Sequence, residues 1–541
     1  MLHLIPPEKI LSLEQAAAES WDVVIVGAGM GGGTLAYALA KQGHKVLALD
    51  KGAANFDGNE ESVSIEPETE HQQYINGKWP TRIRTKIDGE DHDMWAPLGC
   101  GMGGSSLLYA AALQRLKASD FEQRPSPAGD MIGWPFSYQD IAPYYKHAEQ
   151  LFSVRGTTDP LDENIDEALA PPPAMCEQDQ HFFQLFKQAG YNPYRLHVGA
   201  KYIKDCGECG GKICNRDCKQ DAYSACIVPG LATNNLFVCE YAEASHLDAD
   251  ATQINAVHVR HTHGDATPVQ LQARIIVLAA GAYFTPLILK RSHNPHWPQG
   301  VANQSGLVGR NLMFHASDYI GIWPKMKCSR AGPNKTIALR DLYEIDGEKL
   351  GEFQSTGLAA DFGLIMYSLR LLFDQSMLSK LKPLRHFLRI PAWIAAKLYG
   401  DATVFTTIVE DFPYRDNQVI DDPKAPSGMR FEYTIHDELK TRVIKMRELM
   451  RKRLHGIRAL PLNLTINLNY GHPCGTARAG VDPQTSVVNS DCKAHTISNL
   501  YIADASIMPT SGGTNPSLTI AANALRMADK ISAQLDNNTV G

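Results

Sequence analysis

The sequence predicts an α/β fold with a parallel β-sheet in its first domain. Three observations lead to this prediction. The apolar run Trp21–Val26 leads through a glycine-rich turn into a helical pattern, Val46–Leu49 is a second apolar run, and Arg274–Gly281 is a third. Short continuous apolar runs bounded by turns are typical of strands that are buried on both faces of a sheet. The chain has 541 residues and should form two or three domains, because a domain typically contains roughly 100–200 residues.

Composition and charge argue against several classes of protein. Hydrophobic residues make up 44% and charged residues 21%, which is ordinary for a globular protein. The net charge of −7 gives no sign of a surface for nucleic acid. The longest apolar stretch, Ile275–Phe284, is half of the roughly 20 residues that a membrane-spanning helix needs. Residues 1–20 lack the apolar core of a secretory signal. We therefore expect a cytoplasmic protein without a transmembrane segment, or one that a partner subunit carries across the membrane.

The strongest local motif is the glycine turn Gly27-x-Gly29-x-x-Gly32, which precedes a helical pattern from Thr34 to Gln42. Glycines at this spacing permit a tight turn, a close approach of the backbone to a pyrophosphate and close helix–sheet packing. The helix amino terminus offers free amides and a positive dipole end to the phosphates. Asp50 follows the next strand, where a carboxylate can bind ribose hydroxyls. A structural turn is the alternative, but the flanking strands and the acid favour nucleotide binding.

A second glycine-rich stretch, Gly99–Ser106, contains Gly103, Gly104 and Ser105. Dense glycines let a backbone lie flat against a planar ligand, because no side chain intervenes. The residues after this stretch, as far as Arg115, predict a helix. A further glycine stretch lies at 306–309 and leads to Asn311.

The carboxy-terminal quarter contains His472-Pro-Cys-Gly-Thr, a predicted strand Leu500–Ser506 and the dipeptide Asn515-Pro516. A long amphipathic helix follows, because apolar residues recur there at spacings of three and four. Asn515 is a good N-cap residue, and proline suits the first helical turn.

Residues 361–400 form a basic amphipathic segment with a net charge of +4. Its charged residues are Asp361, Arg370, Asp374, Lys380, Lys382, Arg385, Arg389 and Lys397. One interpretation is a flap that touches a membrane surface or an apolar partner. The other, which we favour at this level, is a helical pair that packs on the rest of the protein and turns its basic residues to water.

Four of the eleven cysteines lie close together as Cys206-x2-Cys209-x4-Cys214-x3-Cys218. Thiolates at such short spacing can surround one iron–sulfur cluster. The alternatives are a structural zinc site, whose ligands usually come as two separated pairs, disulfides, and free thiols in a loop.

Taken together, these stretches resemble the glucose–methanol–choline (GMC) family of flavin oxidoreductases. The matching segments are Gly27–Asp50, Gly99–Ser106, Arg274–Ser292 with Gly306–His315, and His472–Ala528. The resemblance implies FAD in an extended pose, bound without a covalent link, and oxidation of a CH–OH group by hydride transfer to flavin N5. It also implies a doubly wound, Rossmann-like FAD-binding domain interleaved with an α+β substrate domain built on an antiparallel sheet.

The resemblance also implies roles for individual residues. His472 would be the general base that takes the alcohol proton, and Asn515 would orient the substrate hydroxyl. The spacing of Cys209, Cys214 and Cys218 is similar to the cluster-binding loop of membrane-linked fructose and glucose dehydrogenases, in which the cluster passes electrons to a haem partner. The predicted cofactor-binding residues are Gly27, Gly29, Gly32, Asp50, Gly103, Gly104, Ser105, Val238, Gly281, Asp504 and Pro516.

The predicted function is an FAD-dependent dehydrogenase that oxidises an alcohol or a sugar. Its electrons would pass to a quinone, a cytochrome or an acceptor subunit, directly or through the cysteine segment. The alternatives are an oxygen-using oxidase of the same fold and a lyase in which FAD is structural. The predicted division of the chain is 15–120, 228–318 and 465–541 for FAD, 121–205 and 319–464 for substrate, and 206–227 for the cysteine-rich loop.

Overall fold

The computed structural model describes residues 4–56, 73–74, 76–162, 166–204, 206–263, 267–359, 362–375, 381, 383–400, 402–463 and 465–537. Asp361, Lys380 and Lys382 of the basic segment lie outside the described residues, and so does the side chain of Asp374.

The helices, numbered in chain order, are α1 (Leu13–Ala17), α2 (Met30–Lys41), α3 (Tyr138–Leu151), α4 (Glu177–Gln188), α5 (Val228–Leu231), α6 (Gly281–Arg291), α7 (Phe362–Gln375), α8 (Leu384–Phe387), α9 (Arg389–Tyr399), α10 (Asp437–Arg453) and α11 (Ser517–Asn537). In the part of the chain that is described, no helix is long and apolar enough to cross a membrane.

The strands, numbered in chain order, are β1 (Trp21–Val26), β2 (Val46–Leu49), β3 (Ile83–Ile87), β4 (Glu90–Met94), β5 (Arg124–Pro125), β6 (Met131–Ile132), β7 (Val154–Arg155), β8 (Tyr194–Arg195), β9 (Val198–Gly199), β10 (Leu236–Cys239), β11 (Ala242–Ala249), β12 (Ile254–His261), β13 (Val269–Leu271), β14 (Ala273–Leu278), β15 (Tyr319–Ile322), β16 (Ile337–Leu339), β17 (Glu344–Ile345), β18 (Glu348–Lys349), β19 (Gly351–Ala359), β20 (Thr403–Val409), β21 (Gln418–Asp421), β22 (Met429–Tyr433), β23 (Ala459–Pro461) and β24 (Leu500–Ile502).

A parallel sheet with the strand order β10-β2-β1-β14-β24 forms the nucleotide-binding half of the molecule. In β1, the residues from Val23 to Val26 are buried, as the continuous apolar run predicts. Helices α2 and α11 pack against each other, and α11 also packs against α3. Because β1, β14 and β24 run parallel, their carboxyl ends lie at one edge of the sheet. Parallel sheets bind their ligands at this carboxyl edge.

An antiparallel sheet with the order β23-β15-β20-β19-β16-β8 forms the second half. Helix α4 covers one face of it, where Phe186 packs edge-on against Phe353 and Phe405. A smaller sheet, β21-β22-β3-β4, lies beside it. The predicted combination of a doubly wound domain with an α+β domain on an antiparallel sheet is confirmed.

Three local predictions are wrong at their boundaries. The residues between Leu107 and Arg115 form no helix beyond the single turn Gly104–Leu107, because the chain pairs instead with a distant segment: Gly199 N donates to Ala111 O at 2.9 Å. The strand predicted to reach Ser506 ends at Ile502. The last helix begins at Ser517, and its first intrahelical bond runs from Ile520 N to Pro516 O at 3.1 Å. Pro516 therefore occupies the cap position that we predicted for Asn515.

Candidate active site

The amino terminus of α2 forms an anion site at the end of β1. Gly27 has a φ of +102°, and a Cβ there would lie 2.3 Å from Ala279 O, so the turn requires glycine. Gly29 is the N-cap residue, and as a glycine it has no side chain that could cap the helix. The amides of the first helical turn, which include those of Gly31 and Gly32, therefore keep their hydrogen-bonding capacity for a ligand.

Asp50 ties this turn to the second glycine-rich stretch. One carboxylate oxygen accepts from Ala28 N at 3.1 Å, and the other accepts from Gly101 N at 2.8 Å and Gly52 N at 3.0 Å. Burial raises the pKa of Asp50 even though these amides favour its charge. The carboxylate lies beside the phosphate turn and fixes the relative position of the two loops; its predicted bond to ribose hydroxyls stays a prediction.

The Gly99–Ser106 stretch lies flat against the start of α2. Gly103 N donates to Ala28 O at 3.0 Å, and Ser105 Oγ accepts from Gly99 N at 3.1 Å. A Cβ on Gly104, whose φ is +53°, would lie 2.7 Å from Gly29 Cα. Two backbones in this close contact leave a smooth wall where a planar ring system could lie.

Asp504 occupies the same edge of the parallel sheet. Its carboxylate accepts from Gly281 N at 2.9 Å, from Thr285 Oγ1 at 2.6 Å and from Ser506 N at 2.8 Å. Asp504 thus joins the turn after β14 to the segment that leads to α11. Val238 lies in the middle of β10 with its side chain fully buried, and its carbonyl accepts from Leu11 N at 2.8 Å. The side chain and the carbonyl of Val238 are thus both committed to the fold, and its contact with the cofactor stays a prediction.

His472 forms a close imidazole pair with His315. The two Nδ1 atoms lie 3.1 Å apart, and the rings meet edge-on with centroids 5.1 Å apart. His315 Nε2 lies 2.9 Å from Gly512 O and 3.2 Å from Ser511 O. Burial lowers the pKa of His315 to about 4, and burial together with the His315 ring lowers that of His472 to about 3. Both rings are therefore neutral near pH 7.

The hydrogen-bond network assigns the tautomer of His472. A carbonyl oxygen can only accept, so His315 carries its proton on Nε2 and its Nδ1 is an acceptor. His472 Nδ1 then donates to His315, and Nε2 of His472 is left without a proton. Asn469 Nδ2 also lies 3.3 Å from His472 Nδ1, which would require the opposite tautomer. We prefer the first assignment, because the second would set two lone pairs against each other in the closer imidazole contact.

Asn515 lies in a buried polar cluster. Its Nδ2 atom is 3.1 Å from Gln114 Oε1, 3.3 Å from Glu352 Oε1 and 3.2 Å from Gln354 Oε1. Burial raises the pKa of Glu352 to about 7. Gly512, whose carbonyl anchors His315, is three positions before Asn515 in the same segment. The structure therefore links His472 and Asn515 through one short loop.

Four residues of this site escaped prediction: His315, Gln114, Glu352 and Gln354. His315 is the last residue of one of the segments that carry the family resemblance. That position, together with its being a histidine, is the signal from which it could have been found. The other three come from a loop and from β19, and nothing in their local sequence indicates that they meet Asn515.

The four clustered cysteines form two sulfur pairs. Cys206 Sγ and Cys218 Sγ lie 3.0 Å apart, and Cys209 hydrogen-bonds to Cys214. These bonds lower the pKa of Cys214 to about 5 and that of Cys218 to about 6. Within the described residues, no group of three or more His, Cys, Asp or Glu side chains is arranged to hold a metal ion. In this arrangement the four thiols pair with one another, and we derive no electron-transfer step through a cluster.

Comparison with known proteins agrees with this geometry. Two GMC oxidoreductase family models match residues 21–317 and 413–524, which together cover most of the chain. The chain belongs to the GMC oxidoreductase family. It is therefore an FAD-dependent oxidoreductase that acts on CH–OH donors, and the cradle formed by α2, Asp50 and the Gly99–Ser106 stretch fits the FAD that this family binds.

Three similar proteins cover nearly the whole chain. The 6'''-hydroxyparomomycin C oxidase of Streptomyces lividus is 28% identical over 97% of this chain and 93% of its own length. The fructose dehydrogenase large subunit of Gluconobacter japonicus is 26% identical over 95% of this chain and 98% of its own length. The crystal structure of pyridoxine 4-oxidase from Mesorbium loti has a TM-score of 0.62 at 20% identity, covering 94% of this chain and 99% of that one.

Proposed function

We propose that this GMC oxidoreductase is a dehydrogenase that oxidises the CH–OH group of an alcohol or a sugar, with His472 as the general base. The hydrogen-bonded pair of His472 and His315 is the observation that carries the assignment of the base. A neutral His472 whose Nδ1 is bonded to His315 at 3.1 Å presents an unprotonated Nε2, which is the form that a base requires.

Each of the functional residues has a separate role at the substrate hydroxyl group. Bound FAD supplies the acceptor for the hydride at N5. His472 Nε2 takes the hydroxyl proton, because loss of that proton makes the carbon a better hydride donor. Asn515 orients the hydroxyl through its Oδ1, because its Nδ2 already faces three side-chain oxygens. The positive dipole end of α11, which begins at Ser517, would favour negative charge that develops at a flavin held in front of it.

The position of the cysteine segment is compatible with an electron acceptor that docks from outside. It packs directly on the residues that follow the Gly99–Ser106 stretch: Gly211 N donates to Leu108 O at 2.7 Å, and Lys219 Nζ donates to Leu107 O at 2.7 Å. A quinone, a cytochrome or an acceptor subunit that docked near this segment would be close to the cofactor wall. The fructose dehydrogenase relative supports the same assignment.

Two alternatives remain in this family. An oxidase would pass electrons to oxygen, as the names of two of the relatives indicate for those proteins. A lyase would use FAD without a change in its redox state.

A screen of alcohols, sugars and sterols separates the three candidates. The purified protein is mixed with each compound and an artificial dye acceptor, and oxygen uptake is recorded in parallel. A dehydrogenase reduces the dye and consumes little oxygen. Oxygen uptake at the rate of turnover would indicate an oxidase, and a flavin that never bleaches under anaerobic substrate would indicate a lyase.

The iron–sulfur cluster stays a prediction. A pocket lined by all four clustered cysteines, together with the buried Lys219 and Lys335, is the place where a cluster would lie. Iron and acid-labile sulfide are measured in anaerobically purified protein and in Cys214→Ser, with Cys328→Ser as the control for a distant cysteine. The prediction requires iron in the wild type and in the Cys328→Ser control, and it requires the loss of iron in Cys214→Ser. A wild type in which flavin is the sole chromophore would contradict it.

A further inference from the structure

Helices α8 and α9 turn large apolar side chains toward solvent. These side chains are 41–63% exposed and recur at helical spacing: Leu384, Phe387, Ile390, Trp393, Ile394 and Leu398. Contiguous exposed apolar surface of this kind marks an interaction site in a folded protein. The segment does contain a packed pair of helices, α7 and α9, and Arg389 and Lys397 are exposed, as the favoured interpretation expects. That interpretation does not account for the large apolar side chains on the same exposed face.

Helix α9 buries a small residue and exposes large apolar ones, which is the reverse of the usual pattern in a water-soluble protein. Its buried residue is Ala392, whereas Trp393 and Ile394 beside it are 55% and 49% exposed. A helix that packed for its own stability would bury the large side chains and expose the small ones. The arrangement leaves the large apolar side chains for a partner.

The charge of this surface identifies the partner. Residues 381–400 contain no Asp or Glu, whereas Arg389 and Lys397 lie exposed among the apolar side chains. Lys397 Nζ lies 4.0 Å from the centre of the Trp393 ring. An apolar face that carries a tryptophan and basic residues is complementary to an anionic lipid surface. The rest of the chain is acidic enough to give a net charge of −7, so the positive charge is local.

The register of the antiparallel sheet relates this surface to the active site. Thr406 of β20 pairs with Gln354 of β19, whose amide oxygen contacts Asn515. Two residues further along β20, Val404 points to the same face and clusters with Trp323 and Tyr399, the last residue of α9. The carboxyl end of α9 therefore packs on the face of the sheet from which Gln354 contacts Asn515.

We propose that α8 and α9 dock the protein on an anionic phospholipid bilayer. The apolar side chains enter the interface, and Arg389 and Lys397 contact the lipid headgroups. No described helix is long and apolar enough to cross the membrane, so the contact is with its surface. Docking brings the sheet face from which Gln354 contacts Asn515 toward the lipid, where apolar alcohols and quinones partition.

Flotation with lipid vesicles tests the proposal on the full FAD-loaded chain. Vesicles of phosphatidylcholine are compared with vesicles that also contain phosphatidylglycerol. We expect the wild type to bind the anionic vesicles and to release as the salt concentration rises. Trp393→Asp should bind roughly tenfold more weakly or worse, because a charge replaces an inserted ring. Arg389→Gln/Lys397→Gln should lower binding to anionic vesicles toward the level seen with neutral ones.

Ile444→Asp is the matched control, because Ile444 is an apolar residue on α10 that is 52% exposed. It should bind vesicles like the wild type. All variants should retain bound FAD and dye-reducing activity in solution, which shows that they are folded. The proposal is wrong if the wild type does not bind anionic vesicles or if Trp393→Asp binds as tightly. It is also wrong if the wild type is a dimer that Trp393→Asp dissociates, since a second copy then covers this face.

Discussion

At the scale of single residues, His315 decides which nitrogen of His472 is free. Its Nε2 is committed to Gly512 O at 2.9 Å, so its Nδ1 is the acceptor for His472. His315 does not face the substrate through an available nitrogen of its own. It is a positioning residue that sets the tautomer of the base, in the way that a hydrogen-bonded partner usually sets the tautomer of a functional histidine.

Replacing His315 with leucine should lower kcat and leave KM nearly unchanged. The variant removes the acceptor for His472 Nδ1, so His472 no longer favours the tautomer with a free Nε2. We expect a loss of roughly tenfold or more, since acid–base catalysis contributes about 10²–10⁴-fold in total. His315→Gln keeps an amide donor for Gly512 O and a carbonyl acceptor for His472, and it should recover part of the activity. Equal loss in both variants, or a change in KM alone, would count against a positioning role.

The pH dependence of the reductive step follows from the pKa of His472. The base works in its neutral form, and the lowered pKa of about 3 keeps it neutral at pH values where an ordinary histidine becomes protonated. The rate of flavin reduction should therefore not fall through protonation of His472 between about pH 8 and pH 5. Stopped-flow reduction at a series of pH values measures this.

Glu352 is the second titratable group near Asn515, and its pKa of about 7 lies within the same range. The pH series is therefore repeated with Glu352→Gln. An inflection that disappears in this variant belongs to Glu352. A loss of rate near pH 6.5 that persists in Glu352→Gln would contradict the lowered pKa of His472.

At the scale of secondary-structure elements, the contact between α2 and the Gly99–Ser106 stretch forms the wall for the cofactor. Gly104→Ala would place a methyl group 2.7 Å from Gly29 Cα and would force the two backbones apart. We expect a lower ratio of bound FAD to protein and a weaker thermal stabilisation by added FAD.

Gly43→Ala is the control for the backbone strain in that experiment. Gly43 also has a positive φ, +96°, but a Cβ there meets nothing within 4 Å. It should cost about 1–2 kcal/mol of folding free energy, as expected for a left-handed residue, and retain FAD. Equal FAD content in the two variants would contradict the proposed wall.

Local sequence predicted the elements whose burial is continuous or periodic. β1, β2 and β14 were visible as apolar runs, and α11 was visible from its spacing of apolar residues. The non-helical course of residues 107–115 was not visible in the local sequence, because its backbone hydrogen bonds go to residues near Gly199. The contact between His472 and His315 spans 157 positions of sequence, and that between Asn515 and Gln114 spans 401. Such pairs depend on the completed fold, and no local pattern encodes them.

At the scale of the whole molecule, we propose the division of the chain that the sequence predicts. Every strand of the parallel sheet lies within 15–120, 228–318 or 465–541, and every strand of the larger antiparallel sheet lies within 121–205 or 319–464. The smaller sheet joins the two halves, because β3 pairs with β22. Segment 206–227 contains the clustered cysteines and packs on the residues that follow the cofactor wall.

The interleaved halves place the base and the cofactor cradle on different segments of one chain. His472 and Asn515 belong to the last segment, His315 to the end of the middle one, and the phosphate turn at Gly27 to the first. The central claim is that these segments meet so that His472 Nε2 takes the substrate proton as the hydride leaves.

The most direct test is the rate of flavin bleaching when the FAD-loaded protein is mixed with its substrate without oxygen. His472→Ala should keep its bound flavin and bleach at least about 10²-fold more slowly than the wild type, because it has lost the proton acceptor. His455→Ala, at an exposed histidine after α10, should bleach at the wild-type rate. A His472→Ala variant that bleaches as fast as the wild type would contradict the account.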